Sequence, residues 1–233
     1  MSGHLNHFFE KGYITRKLPP NWINALERIV KTDGCEWLSR EPDGEEQVFR
    51  VPAWSSPGDE LLKSCDGRNF ASLQQKETDL ATACATRRPV VYDRFFEHLL
   101  RQDGYFLELG QLFRLEVRTI QLWDGVGAPY WHWDGPGNGD IYLLLYLTDH
   151  EDWPAFYGGS LKLGVRDLKP GWLSRVSDES VTLIDEILPS HGTLVISDNR
   201  NPRIVHCPVR LSQEAIEYGV SRYTFLVTFR AEL

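Results

Sequence analysis

Ser221 to Glu232 (SRYTFLVTFRAE) alternates along its length. Tyr223, Phe225, Val227 and Phe229 make one apolar face, and Arg222, Thr224, Leu226 and Thr228 make the other. A period of two is the pattern of a β-strand. If the second face points into a barrel, Arg222 is a buried cation. An unpaired guanidinium is costly to bury, so it should meet an anion, and its planar fork suits a carboxylate. Thr224, on the same face, is a further candidate for that role.

The segments upstream of this strand repeat its character. Residues 112–123, 128–133, 141–148, 160–165, 180–188, 193–198 and 203–209 read as strands separated by Gly, Pro, Asn and Asp clusters. With 221–230 they make eight short strands, the signature of a double-sheet jelly roll or a barrel. Before Gly104 helical signals dominate. Pro20 to Lys31 places Trp22, Leu26, Ile29 and Val30 at helical spacing, and Tyr92 to Leu100 does the same around Phe95 and Leu99. Residues 46 to 52 read as a short strand, Arg40 to Glu46 as a solvated loop, and Ser55 to Asp59 as a turn into a helix. The expectation is one α+β, mainly β domain over 1–233. A helical support region, 1–104, would cover one sheet of a strand core, 105–233.

Bulk composition narrows the function. The chain has 233 residues, 42% of them hydrophobic, and a formal net charge of -8. Such an acidic balance disfavours binding to nucleic-acid backbones, which needs clustered Lys and Arg. The start has no basic stretch followed by an apolar one, and the apolar run Ile141 to Leu147 is too short to span a bilayer. The four cysteines are Cys35, Cys65, Cys84 and Cys207, with no CxxC pair, so neither a disulfide framework nor a structural zinc site is expected. The expected setting is cytoplasmic.

Two short motifs carry chemistry. In Trp131 to Gly135 (WHWDG), His132 and Asp134 are two apart, so in a strand they point the same way. Trp131 and Trp133 then face away or wall the site. Downstream, His206 lies in an apolar strand, where an imidazole needs a partner. Two histidines and one carboxylate on one ion leave three adjacent positions open, the arrangement of non-haem iron(II) oxygenases. A structural zinc would want four closing ligands and usually thiolate. Cys207 faces away from His206 and reads as an inert buried thiol, and His150 and His191 sit in turn-like, solvated contexts.

In order, His132-Trp133-Asp134, Tyr146-Leu147, Gly158-Gly159-Ser160-Leu161, Gly192 to Asp198 (GTLVISD), Asn201-Pro202, His206 and Arg222-Tyr223 resemble the 2-oxoglutarate/iron(II) dioxygenase superfamily, most closely its prolyl-hydroxylase-type branch. The resemblance covers roughly residues 113 to 230 and implies a double-stranded β-helix. It implies that His132, Asp134 and His206 hold Fe(II), and that Arg222, with Tyr146, binds the C5 carboxylate of the co-substrate 2-oxoglutarate. O2 is then the oxidant, and ascorbate a possible stimulant. Asp134 stands where related halogenases carry a small residue, which favours hydroxylation or a related oxidation. Ser212 to Gly219 reads as an insertion between the last two strands, which makes Arg210 a rival to Arg222. Trp123 stands where the family often has a polar aromatic, and Trp123, Gln121 and Trp133 are candidates for the substrate pocket.

The expected substrate is a small, amino-acid-like molecule, with a peptidyl proline as the alternative. Lys162, Arg166, Lys169, Arg175, Arg200 and Arg203 either line the mouth of the site for an anionic substrate or form a solvated rim. Two readings of other classes compete: a cupin-type metal enzyme, with more histidines on the metal and no need for Arg222, and a non-catalytic ligand-binding relative.

Overall fold

The computed structural model describes residues 3–32, 37–40, 48–52, 90–124, 129–135, 139–167 and 178–232. Helices α1 (Gly3–Lys11), α2 (Pro20–Thr32), α3 (Val90–Gln102) and α4 (Gly104–Leu112) precede most of the strands. The strands are β1 (Tyr13–Lys17), β2 (Trp37–Arg40), β3 (Val48–Pro52), β4 (Arg114–Asp124), β5 (Ile141–Tyr146), β6 (Leu161–Arg166), β7 (Val181–Ile187), β8 (Thr193–Asp198), β9 (Ile204–Pro208) and β10 (Tyr223–Glu232). A short helix, α5 (Gln213–Glu217), fills the segment read as an insertion.

The strands form two antiparallel sheets. The larger has the order β1-β8-β5-β10-β4-β3-β2, and the smaller has β7-β6-β9. Strand β10, whose alternation was the clearest in the sequence, lies in the middle of the large sheet between β5 and β4. Its Phe225, Val227 and Phe229 join Ile120, Leu143, Leu145, Leu194 and Ile196 on one face. Helices α1 to α4 cover that face with Phe8, Trp22, Leu26, Phe95, Leu99, Phe106 and Leu109. Each such side chain, fully buried, contributes roughly 1.5–3 kcal/mol of transfer free energy. The opposite face of the large sheet meets the small one. Tyr13, Tyr146 and Val195 pack there against Leu161, Leu163 and Ile187.

The helices follow local signals. Proline opens α2, where its fixed φ suits the first turn and no backbone N–H is needed. In α3, Tyr92, Phe95, Phe96 and Leu99 form the buried stripe. Asp103 caps α4, accepting from the backbone of Tyr105 and Phe106. The same carboxylate receives both terminal nitrogens of Arg16 at 2.9 and 2.7 Å, which ties β1 to the helical layer.

Three expectations differ from the structure. The helical layer runs on to Leu112, because Tyr105, Phe106 and Leu109 bury one side of a capped helix. The N-terminal region is more than a helical support: besides β3, expected as a strand at 46–52, β1 and β2 also belong to the large sheet, at its edges. Residues 129–135 form no regular strand, and only His132 makes a ladder contact, an isolated antiparallel bridge to His206. The turn read at Ser55 to Asp59 and most of the loop Arg40 to Glu46 lie outside the described residues. Among the described residues, no helix is long and apolar enough to cross a membrane.

Candidate metal and carboxylate site

The bridge between His132 and His206 is reciprocal. The backbone N–H of each donates to the other's carbonyl at 2.9 Å. Directly paired residues of an antiparallel bridge share a face, and the two imidazole rings lie 4.2 Å apart between centroids. Asp134, two residues on from His132, reaches both. Its Oδ1 is 3.7 Å from His132 Nε2, and its Oδ2 is 3.4 Å from His206 Nε2. One ligand atom from each of the three lies within 4.8 Å of the others, and this is the one such group of metal-ligating side chains found among the described residues.

The tautomer of His132 is fixed by its surroundings. Its Nδ1 lies 2.7 Å from the carbonyl of Tyr130. A carbonyl only accepts, so Nδ1 carries a proton and Nε2 is the nitrogen turned toward Asp134. The His206 imidazole is pushed down to about 4, chiefly by burial and then by the neighbouring His132, with Asp134 opposing the shift. It is therefore neutral at physiological pH, the state a ligating imidazole needs. The three side chains are 14 to 24% exposed, so one side of the cluster stays reachable.

Strand alternation sorts the flanking aromatics. Trp131 and Trp133 pack with Val205, next to His206 and on the opposite face of β9. Cys207 joins that cluster, as expected of a thiol facing away from the site. Trp133 donates its indole N–H to the carbonyl of Asn199 at 2.9 Å.

The second cluster sits where β5 and β10 pair. Thr224 lies directly across from Tyr146. Arg222 donates from its terminal nitrogens to Tyr146 Oη at 3.1 Å and to Thr224 Oγ1 at 3.2 Å. Its Nε donates to the carbonyl of Gly159. All three side chains are buried. Burial pushes the Tyr146 phenol up against the lowering effect of Arg222, so the hydroxyl keeps its proton. The three residues singled out for carboxylate binding thus form one hydrogen-bonded group. Arg210, the rival, is exposed on the surface. Its carbonyl takes the Gly159 N–H, and a bridge joins Gly158 to Leu211. Gly159 has φ +71°, and a Cβ there would come within 2.9 Å of Leu211 and 3.2 Å of Arg222 Cδ. Only glycine lets this carbonyl approach the guanidinium so closely.

The two clusters lie on the sides of their sheets that face each other. Leu163 is paired with His206 in the small sheet and packs against Tyr146 of the large one. Gln121 is partly buried on β4, opposite Leu226, and so shares the face of Thr224. The backbone of Trp123 pairs with Thr224, and its side chain lies outside the described residues.

The basic residues divide. Arg166 is buried, with Nε donating to the carbonyl of Pro202. Arg200 is paired with Asp198 and lies over the Phe113 ring, toward the helical layer. Arg203 is exposed, and Lys169 and Arg175 lie outside the described residues. Arg166 is thus no part of a solvated rim, while Arg200 stays partly exposed. His150 is half-buried against Trp153 and Tyr157, and His191 Nδ1 pairs with the Thr148 carbonyl. Sequence reasoning missed the carbonyls of Tyr130 and Gly159. Backbone groups leave no side-chain signal, although the Gly158-Gly159 pair marks the second position.

The sequence matches no protein-family model and no curated protein. The chain is similar to solved structures at low identity. A Pseudomonas putida prolyl-4-hydroxylase is 16% identical over 98% of this chain and 97% of its own, with a TM-score of 0.43. A prolyl hydroxylase from Trichoplax adhaerens, in complex with a hypoxia inducible factor peptide fragment, is 15% identical over 97% and 86%, at 0.43. HygX from Streptomyces hygroscopicus, with nickel and 2-oxoglutarate bound, is 8% identical over 99% and 87%, at 0.48. Likenesses at this level say nothing of chemistry, which is read from the side chains alone.

Proposed function

We propose that this chain is an iron(II)- and 2-oxoglutarate-dependent oxygenase that hydroxylates a C–H bond, and that its two sheets are a double-stranded β-helix. The observation that carries the reading is the presence of two unlike clusters on the facing sides of the two sheets. A His-Asp-His group is open on one side, and a buried arginine is flanked by two hydroxyls.

The donor set fits iron(II). Two imidazoles and one carboxylate suit a divalent ion of intermediate softness, and three protein ligands leave positions for substrate and oxygen. Bound there, iron(II) with 2-oxoglutarate and O2 would supply an oxidant for C–H bonds, with release of succinate and CO2. The chain's own residues do the rest. His132, Asp134 and His206 would hold the ion, with the Tyr130 carbonyl keeping His132 Nε2 aimed at it. Arg222 would take the far carboxylate of the co-substrate, with the Tyr146 and Thr224 hydroxyls beside it as donors. Burial of this group excludes water and strengthens each charge-assisted bond. Gln121 and Trp123 remain candidates for the substrate side, whereas Trp133 packs with Val205 on the face of β9 away from His206.

For the substrate, a peptidyl proline is the first to test, ahead of a free amino-acid-like molecule. The motif order from His132 to Arg222, which resembles the prolyl-hydroxylase-type branch, sets that order of trial. The test is succinate formation by the iron-loaded protein with a proline-containing peptide or with free amino acids. Succinate that depends on iron and rises with one of them supports the reading. Iron-loaded protein that never consumes 2-oxoglutarate, with or without these substrates, contradicts it.

A further inference from the structure

The metal's carboxylate comes from a weakly built part of the chain. Residues 129–135 have a single bridge in place of a ladder, so something else must hold Asp134. Asn199, just after β8, contacts the chain on both sides of that residue. Its backbone carbonyl accepts the indole N–H of Trp133 at 2.9 Å. Its side-chain Nδ2 donates to the carbonyl of Gly135 and, at 2.9 Å, to that of Gly139. Both partners only accept, so the amide orientation is determined: the NH2 group faces them, one proton to each. Asn199 is 5% exposed. Its own backbone N–H donates to Asp140, whose carboxylate in turn receives Ala231 N–H on β10. The clamp is thereby anchored to the middle of the large sheet.

We propose that Asn199 is a positioning residue for Asp134. It grips the residue before the carboxylate and the residue after it, and joins Gly135 to Gly139 across positions 136–138. The inference rests on the metal reading above. Without the amide, the carboxylate would lose its fixed place opposite the two imidazoles, and metal affinity would fall while the histidine bridge stayed intact.

The test is calorimetric titration of the metal-free protein with cobalt(II) alone. Wild-type protein should bind, and Asn199→Ala should bind about 10-fold more weakly, the lower end of the range for residues that orient a metal ligand. In an Asp134→Ala background, where two imidazoles set a weaker affinity, Asn199→Ala should cause no further loss. Equal losses in the two backgrounds, or no loss in wild type, overturn the proposal, since a general structural role would not depend on Asp134. If Asn199→Ala fails to fold, Trp133→Phe removes the indole bond and keeps the packing. It should cost a few-fold in affinity when Asp134 is present and nothing when it is absent, and an unchanged affinity overturns the clamp. Wild-type protein that binds no cobalt removes the metal site itself, an outcome distinct from a clamp that fails on a site that binds.

Discussion

The two ends of the site are built in different ways. The carboxylate end sits in the middle of the large sheet, where Tyr146 and Thr224 are direct partners and β10 has a neighbour on each side. The metal end lies at the margin of the small sheet, joined through one bridge at His132. Regular ladder fixes Tyr146 and Thr224 of the first, and the Gly159 carbonyl holds Arg222 beside them. The second depends on single hydrogen bonds, from the His132 ring to the Tyr130 carbonyl, from Trp133 to the Asn199 carbonyl and from the Asn199 amide to Gly135. The ends differ in solvent access too. Arg222 is 4% exposed and Tyr146 fully buried, while the metal-ligating side chains are 14 to 24% exposed. The group proposed for the co-substrate is buried, and the group proposed for the metal is partly exposed.

Asp134→Ala attacks the open end and carries the largest expected effect. Iron-dependent succinate formation should fall below detection, because two imidazoles cannot complete the triad. Activity retained at the wild-type level would reject Asp134 as a ligand. Arg222→Ala attacks the sealed end. It should raise the 2-oxoglutarate concentration needed for half-maximal rate by about 10- to 100-fold, the worth of a charge-assisted contact, and leave iron affinity unchanged. If Arg210→Ala does this and Arg222→Ala does not, the buried cluster has another task.

A pH measurement separates the ends without touching the co-substrate. His206 stays neutral in the folded protein down to about 4, while in the unfolded chain it takes up its proton near 6.5. The unfolded state therefore binds more protons in that window, and the metal-free protein should lose stability as pH falls from 6.5 toward 4. Urea midpoints across that range check this, and His206→Asn should flatten part of the slope. A wild-type slope no steeper than the variant's would mean that the ring is not held neutral. The smallest effect is expected for Tyr146→Phe. Losing one hydroxyl should cost about 0.5–1.5 kcal/mol in 2-oxoglutarate binding, read as a shift of half-saturation with maximal rate preserved.

The same contrast explains what the sequence could show. The sealed end was legible because the sequence alternates from Arg222 to Phe229, which put Arg222 and Thr224 on one face and the phenylalanines on the other. Tyr146 and the ligands followed from motif order and from the two-residue spacing of His132 and Asp134. The supports of the open end were not legible. Asn199 acts through its backbone carbonyl and a side-chain amide, and an asparagine in a turn after a strand reads as ordinary turn chemistry. The isolated bridge looked like a strand because Trp131, His132, Trp133 and Asp134 alternate, yet Pro129 and Gly135 bound a segment too short to build a ladder. At the periphery, β1 was missed because Thr15, Arg16 and Lys17 give no apolar alternation. An edge strand facing solvent on one side does not require one. Helix α4 was missed because its aromatic start and internal Gly110 resemble strand and turn, and its cap and burial override that propensity.

The most direct test of the central claim, that one site takes both iron(II) and 2-oxoglutarate, is an anaerobic titration of the metal-free protein. Iron(II) is added first and 2-oxoglutarate second, while the weak visible charge-transfer band of their chelate is followed. The band should appear with wild-type protein and be lost or weakened in Arg222→Ala. Iron binding with no band would contradict the shared site and bring the cupin-type reading forward, and no iron binding at all would contradict the triad.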